Sequence, residues 1–283
     1  MIANKRAGYT ILEVLIFLSV SSLMFVTAMR TINGRQKQVQ FTQSIQEFDA
    51  KIRDIINDVT TGYYPTNETV NCNVIGDDVE IIESTGEKLG TNDECIYVGK
   101  VIHFKSNGDD TAMKIYAMAG KRYSSSDSTP SDSISDAKPK AVSLPGNSNF
   151  TETAENFITL YGLKVTRVFR PISDIVFTDY GSLAFMSYFG GSGVSEAQAV
   201  QIGGISGSIM GSNELSSLSI INQITDNPGN GPSPPTGYFE SNTAEGIVIC
   251  LEGSGGKKAS LTVDAGGDNS TILQVDNRNG GCV

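Results

Sequence analysis

Glu13 is the residue whose surroundings most need a chemical explanation. It stands at the head of an apolar run that reaches Met29, with only Ser19, Ser21, Ser22 and Thr27 as polar interruptions. A carboxylate in lipid costs about 2.5 kcal/mol or more, so an acid inside a membrane is usually partnered. The residues alone leave two readings open. If the chain is cut after Gly8, the new amine of Tyr9 becomes available, and a neighbouring subunit's amine can pair with Glu13. Otherwise the segment is a signal-anchor whose Glu13 snorkels to the headgroups.

The other chemically capable residues are few. Cys72, Cys95, Cys250 and Cys282 form an even set downstream of the apolar run, which suggests disulfides in an oxidising compartment. Three pairings exist; the nearest-neighbour one, Cys72 with Cys95 and Cys250 with Cys282, is expected. Free buried thiols are the alternative. A zinc site is disfavoured because no pair has C-x-x-C spacing and the lone His103 is far from Cys250. One histidine and no G-x-S-x-G leave little for a triad, so His103 reads as structural. Gly253 to Lys258 superficially has the look of a phosphate loop but lacks its spacing, and is expected to be a hairpin turn. The acid pair Asp109-Asp110 reads as loop charge.

These residues must be positioned by the elements around them. Taken as a helix, residues 9–29 span about 31 Å, enough for a bilayer core of about 30 Å. Lys5 and Arg6 in the leader, residues 1–8, would hold the front end in the cytoplasm. The pattern continues through residues 30–62, where Phe41, Ile45, Phe48, Ile52, Ile55 and Val59 recur at spacings of four and three. That stripe predicts an amphipathic helix packing on its own domain, ending near Thr61-Gly62 with Pro65 beyond. Residues 63–123 read as short strands and turns, with β-prone runs at 96–104 and 113–118. Residues 124–149, rich in Ser, Pro and Asp, read as an exposed loop.

Residues 150–283 form the remaining β-rich region. Residues 151–161 look weakly helical. Strands are expected at 165–169, 175–178 and 183–189, the last central, with a short strand at 199–202 inside a glycine-rich loop over 190–211. Residues 215–224 look β-prone. The runs 246–251, 258–263 and 271–275, joined by glycine turns, predict an antiparallel meander. The fold class expected is α+β, a long N-terminal helix packed on an antiparallel sheet.

Composition narrows the function. The chain has 283 residues, 39 % hydrophobic, with a net charge of -10. An acidic surface keeps an exported domain soluble and argues against nucleic acid as a partner, which needs clustered Lys and Arg. The small residue Gly8 precedes the apolar run instead of following it, unlike a secretory signal whose apolar segment is removed.

Lys5-Arg6-Ala7-Gly8 followed by Tyr-Thr-Ile-Leu-Glu-Val-Leu-Ile-Phe-Leu resembles the processing motif of type IV pilins and type II secretion pseudopilins. The resemblance covers residues 5–65. It implies that a membrane prepilin peptidase and N-methylase cuts after Gly8 and methylates the Tyr9 amine, and that Glu13 guides assembly by pairing with such an amine. The implied fold is pilin-like. The implied role is a structural subunit, suited by its length to a minor one, with other pilin or pseudopilin subunits as partners. Its location would be a single-pass membrane protein, cytoplasmic at the N-terminus, whose C-terminal domain reaches the cell surface on assembly. The alternatives are a surface-binding module on the same anchor (an adhesin or DNA-uptake pilin) and an anchored enzyme. Some pseudopilins hold Ca²⁺; here Asp77 with Asp78, or Asp264, Asp268 and Asn269, are the candidates. Neither forms a calcium-loop pattern, so both read as turn residues, and no cofactor or metal is expected. The chain departs from many members in having no proline or glycine over residues 9–33, Gly34 being the first.

Overall fold

The computed structural model describes residues 10–62, 70–83, 94–123, 129–142, 154–173, 176–187, 200–226, 235–241, 246–263, 270–275 and 282. The long helix α1 runs over Ile11–Thr61. Thr10 is its N-cap, and Gly62 at φ 65° ends it, returning its N–H to the carbonyls of Asp58 and Val59. All six residues of the expected stripe are buried, each at 5 % exposure or less.

Three antiparallel sheets follow. β1 (Val70–Ile75) and β2 (Asp78–Glu83) form a hairpin. The second sheet is built around β3 (Cys95–Phe104) and β4 (Ala112–Lys121), with β5 (Lys140–Ala141) and β6 (Glu155–Ile158) on β4. The third takes β7 (Lys164–Ser173) and β8 (Val176–Asp179). The chain then crosses at Tyr180-Gly181 into β9 (Ser182–Ser187), which returns to the second sheet beside β3, followed by β10 (Val200–Ile205) and β11 (Phe239–Ser241). Finally β12 (Ile247–Gly253), β13 (Lys257–Val263) and β14 (Thr271–Val275) form the expected meander on β7. The sheet orders are β11-β10-β9-β3-β4-β5, with β6 also on β4, and β14-β13-β12-β7-β8.

The second sheet is buried on both faces, which explains why its central strands read as continuous apolar runs. Along β3, Ile102 and Phe104 join the cluster around α1, whereas Val101 packs with the opposite cluster. Along β9, Leu183 and Phe185 face α1, and Ala184 and Met186 face away. The opposite face is covered by two short helices, α2 (Ile134–Ala137) and α3 (Glu214–Ile221). The third sheet adds Val165, Val168, Ile249, Leu251, Leu261 and Val263 to the α1 cluster, so one core joins the helix to both large sheets.

The structure corrects four expectations. Residues 155–158 are strand β6, not helix, because Phe157 and its neighbours extend the β4 ladder; Leu160–Gly162 is a 3-10 turn. Residues 214–221 are helix α3, not strand: Asn213 caps it by accepting from Ser216 N–H, which outweighs the β-branched Ile220 and Ile221. Within the presumed loop 124–149, residues 129–142 are ordered, with Ile134, Ala137, Ala141 and Val142 buried. The strand expected at 199–202 extends to Ile205.

Candidate membrane anchor and assembly site

The apolar front half of α1 lacks the packing neighbours that its back half has. Ile11 is 83 % exposed, Phe17 71 % and Leu23 68 %, while Ile52 and Ile55 are fully buried. One apolar stretch of this helix is long enough to cross a membrane, and none of it is buried in the chain. Lipid supplies no hydrogen bonds, so polar groups inside it must be satisfied locally. Ser19 and Thr27 donate to the carbonyls of Ile16 and Met24 at 2.8 Å each, and Thr31 donates to Thr27 at 3.1 Å. These bonds make the hydroxyls compatible with an apolar surrounding.

Gly8 and Tyr9, the expected processing site, lie outside the described residues. Glu13 is exposed in the first turn of α1, and among the described residues its carboxylate has no partner. Its own N–H donates to Thr10 Oγ1 at 3.3 Å. Thr10 and Glu13 therefore hold the N-cap and N3 positions of a capping-box pattern, with an acid beside the positive end of the helix dipole. Sequence reasoning missed this role for Thr10, although the T-x-x-E spacing was there to be read.

Both large sheets carry a disulfide. Cys72–Cys95 joins the β1–β2 hairpin to β3, with Cα atoms 6.2 Å apart. Cys250–Cys282 ties the C-terminal end to β12, with Cα atoms 5.4 Å apart. No free cysteine occurs among the described residues.

The acid pairs are engaged by lysines. Asp77 accepts from Lys121 at 2.6 Å and from Lys138, and Asp78 accepts from Lys140 at 3.0 Å. Three ammonium groups facing two carboxylates leave no vacancy for a cation. Asp264, Asp268 and Asn269 lie outside the described residues. Asp109 accepts from the Thr111 N–H and hydroxyl, which holds its carboxyl below the usual range, while Asp110 pairs with Lys105. Gly253 and Lys257 close the β12–β13 hairpin, as the turn reading expected.

His103 is fully buried on the face of the second sheet that carries α3. Its Nδ1 lies 2.9 Å from Ser182 Oγ and its Nε2 2.8 Å from Ser217 Oγ. Ser182 continues to Ser208 at 2.6 Å, and Ser217 to Ser212 at 2.9 Å. Burial pushes the imidazole pKa down, more than the carbonyls of Ser212 and Gly181 raise it. This is a serine–histidine network in which Ser182 and Ser217 are sealed from solvent, and it fastens α3 to the sheet. On the adjacent strand Lys114 does the same, donating to Glu214 at 2.9 Å.

A second polar group went unnoticed in the sequence because its members come from two strands and the crossing between β8 and β9. Glu240 on β11 accepts from Arg170 of β7 at 3.2 Å and from the Tyr180 hydroxyl at 2.8 Å. Burial, then the Glu240 bond, raises the Tyr180 pKa, so the phenol stays a donor. Compared with protein-family models, curated proteins and solved structures, the chain matches none.

Proposed function

We propose that this chain is a structural minor pilin or pseudopilin subunit. It is cleaved after Gly8, held in the membrane by the front half of α1, and assembled through that half into a type IV pilus-like or type II secretion filament. The observation that carries this reading is a continuous helix, half of it bare apolar surface and half seated in a folded domain. The bare half needs either lipid or other copies of itself, and Glu13 supplies a charged group to specify the second.

Orientation is supported more by the disulfides than by the flanking charges. Arg30, Arg35 and Lys37 follow the apolar run, against Lys5 and Arg6 ahead of it, so the basic residues do not choose a side. Two bridges in the globular part favour an oxidising, extracytoplasmic location for it. Mass spectrometry of the mature amino terminus is the direct test. A protein beginning at methylated Tyr9 supports the reading, and one retaining residues 1–8 overturns it in favour of a plain tethered ectodomain.

A further inference from the structure

Where β11 ends the second sheet and β8 ends the third, a cleft of about 760 Å³ opens. It is lined by Arg170, Thr178, Gln201, Ser206, Asp226, Tyr238 and the three residues of β11. Its size falls within the range of small-ligand sites, about 300–1,000 Å³. Its chemistry is more informative than its size. Among the described residues, the hydroxyls of Thr178, Ser206 and Tyr238 and the amide of Gln201 have no partner, so four neutral hydrogen-bonding side chains border one space. The charged groups are two carboxylates, Asp226 and Glu240, against one guanidinium already turned to Glu240.

The two carboxylates and the backbone around Tyr238 are held in place. Asp226 is fixed through one oxygen by the Ser135 N–H at 3.1 Å. The main chain of Tyr238 accepts from Ser206 N–H, and its neighbours Gly237 and Phe239 are bonded to Thr225. Gly204 leaves the room in which the Tyr180 ring lies, since a Cβ there would meet that ring at 2.3 Å. Tyr180 in turn orients Glu240. Pre-set polar groups lose little entropy on binding.

We propose that this cleft binds a neutral oligosaccharide. A polyol matches hydroxyls and an amide that both donate and accept, and carboxylates that accept from its hydroxyl groups. A half-buried tyrosine offers an apolar face with a polar tip for a sugar ring. The excess negative charge disfavours phosphorylated or acidic ligands. The inference is independent of the filament reading, because the cleft lies in the globular domain.

The test is saturation-transfer NMR on the full chain in a detergent without sugar headgroups. The probes are maltotriose, chitotriose and lactose, with sialyllactose and spermine as charged comparisons. Saturable transfer to at least one neutral sugar is expected, weakened about tenfold or more by Gln201→Ala and by Tyr238→Ala. Gln201→Ala removes only a half-buried side chain, so it keeps the test decisive if Tyr238→Ala fails to fold. No saturable signal from neutral sugars up to about 10 mM, binding unchanged in Gln201→Ala, or binding of spermine alone overturns the proposal. Incorporation into filaments should be unaffected by Gln201→Ala, which separates this result from the outcome for Glu13.

Discussion

Lys100 on β3 donates to the Asp58 carboxylate at 2.5 Å, fastening the last turns of α1 to the second sheet. Lys100 is 5 % exposed, so Asp58 stands in for the water its ammonium group would otherwise bind. Removing one member of a buried pair costs about 3–5 kcal/mol, and the partial exposure of Asp58 lowers this. Asp58→Asn should therefore destabilise the domain by about 2 kcal/mol, read from urea midpoints of the full chain in detergent. A loss under about 0.5 kcal/mol would mean that solvent already screens the pair.

Phe41 is seated against Gly253, where an added Cβ would meet its ring at 2.2 Å. Gly253→Ala should displace the first buried ring of α1 and cost about 1–3 kcal/mol. Faster amide exchange in the turns of α1 around Phe41 and Ile45, with the turns around Ile55 unchanged, is the expected pattern.

His103 gives the domain a predictable pH response. Its folded pKa lies below the ordinary 6.5, so the unfolded chain binds the proton more readily. The stability that this group supports is present above about pH 6.5 and lost as pH falls from there through the lowered value. The ring faces the hydroxyls of Ser182, Ser212 and Ser217, and the neighbouring Lys114–Glu214 pair offers no free carboxylate to a new cation. His103→Gln should flatten the wild-type slope between pH 6.5 and 5, measured as the difference in denaturant midpoints; equal slopes would show that carboxylates alone set it.

Cys250→Ser with Cys282→Ser should lower stability by about 3 kcal/mol through the freed unfolded chain. Limited proteolysis should then begin at the C-terminal end. An unaltered digestion pattern would show that the bridge adds nothing to the order of that end.

Glu13→Ala should leave membrane insertion intact and block incorporation into filaments. Thr10→Ala should remove only an N-cap, a loss of about 1 kcal/mol, and still incorporate. Were the two variants equally impaired, Glu13 would be acting as a helix-start residue and not in subunit pairing. Replacing Gly8 with a bulky residue should leave an unprocessed precursor on a gel.

How far the sequence reveals this fold depends on element length. The stripe from Phe41 to Val59 repeats over several turns and was readable, as were β12 to β14 with the glycine turn between β12 and β13. Helix α3 was missed because its eight residues end in two isoleucines and its real signal is a single capping residue, Asn213. The ordered residues 129–142 were missed because four small or medium apolar side chains in a serine-rich stretch only count once the second sheet is there to receive them. The cleft could not be read at all, since Arg170, Gln201 and Tyr238 meet only through the crossing of the chain at Tyr180. By contrast, the cysteine pairing followed the nearest-neighbour rule.

Neither disulfide includes α1, so no bridge shares a load placed on that helix. Tension along its axis would act in shear on the side chains from Phe41 to Val59 together, a grip about 27 Å long. Force applied sideways would instead peel them off one at a time, starting at Gly253. In a fibre pulled lengthwise the first geometry applies, and single-molecule extraction should need much more force along the axis than across it.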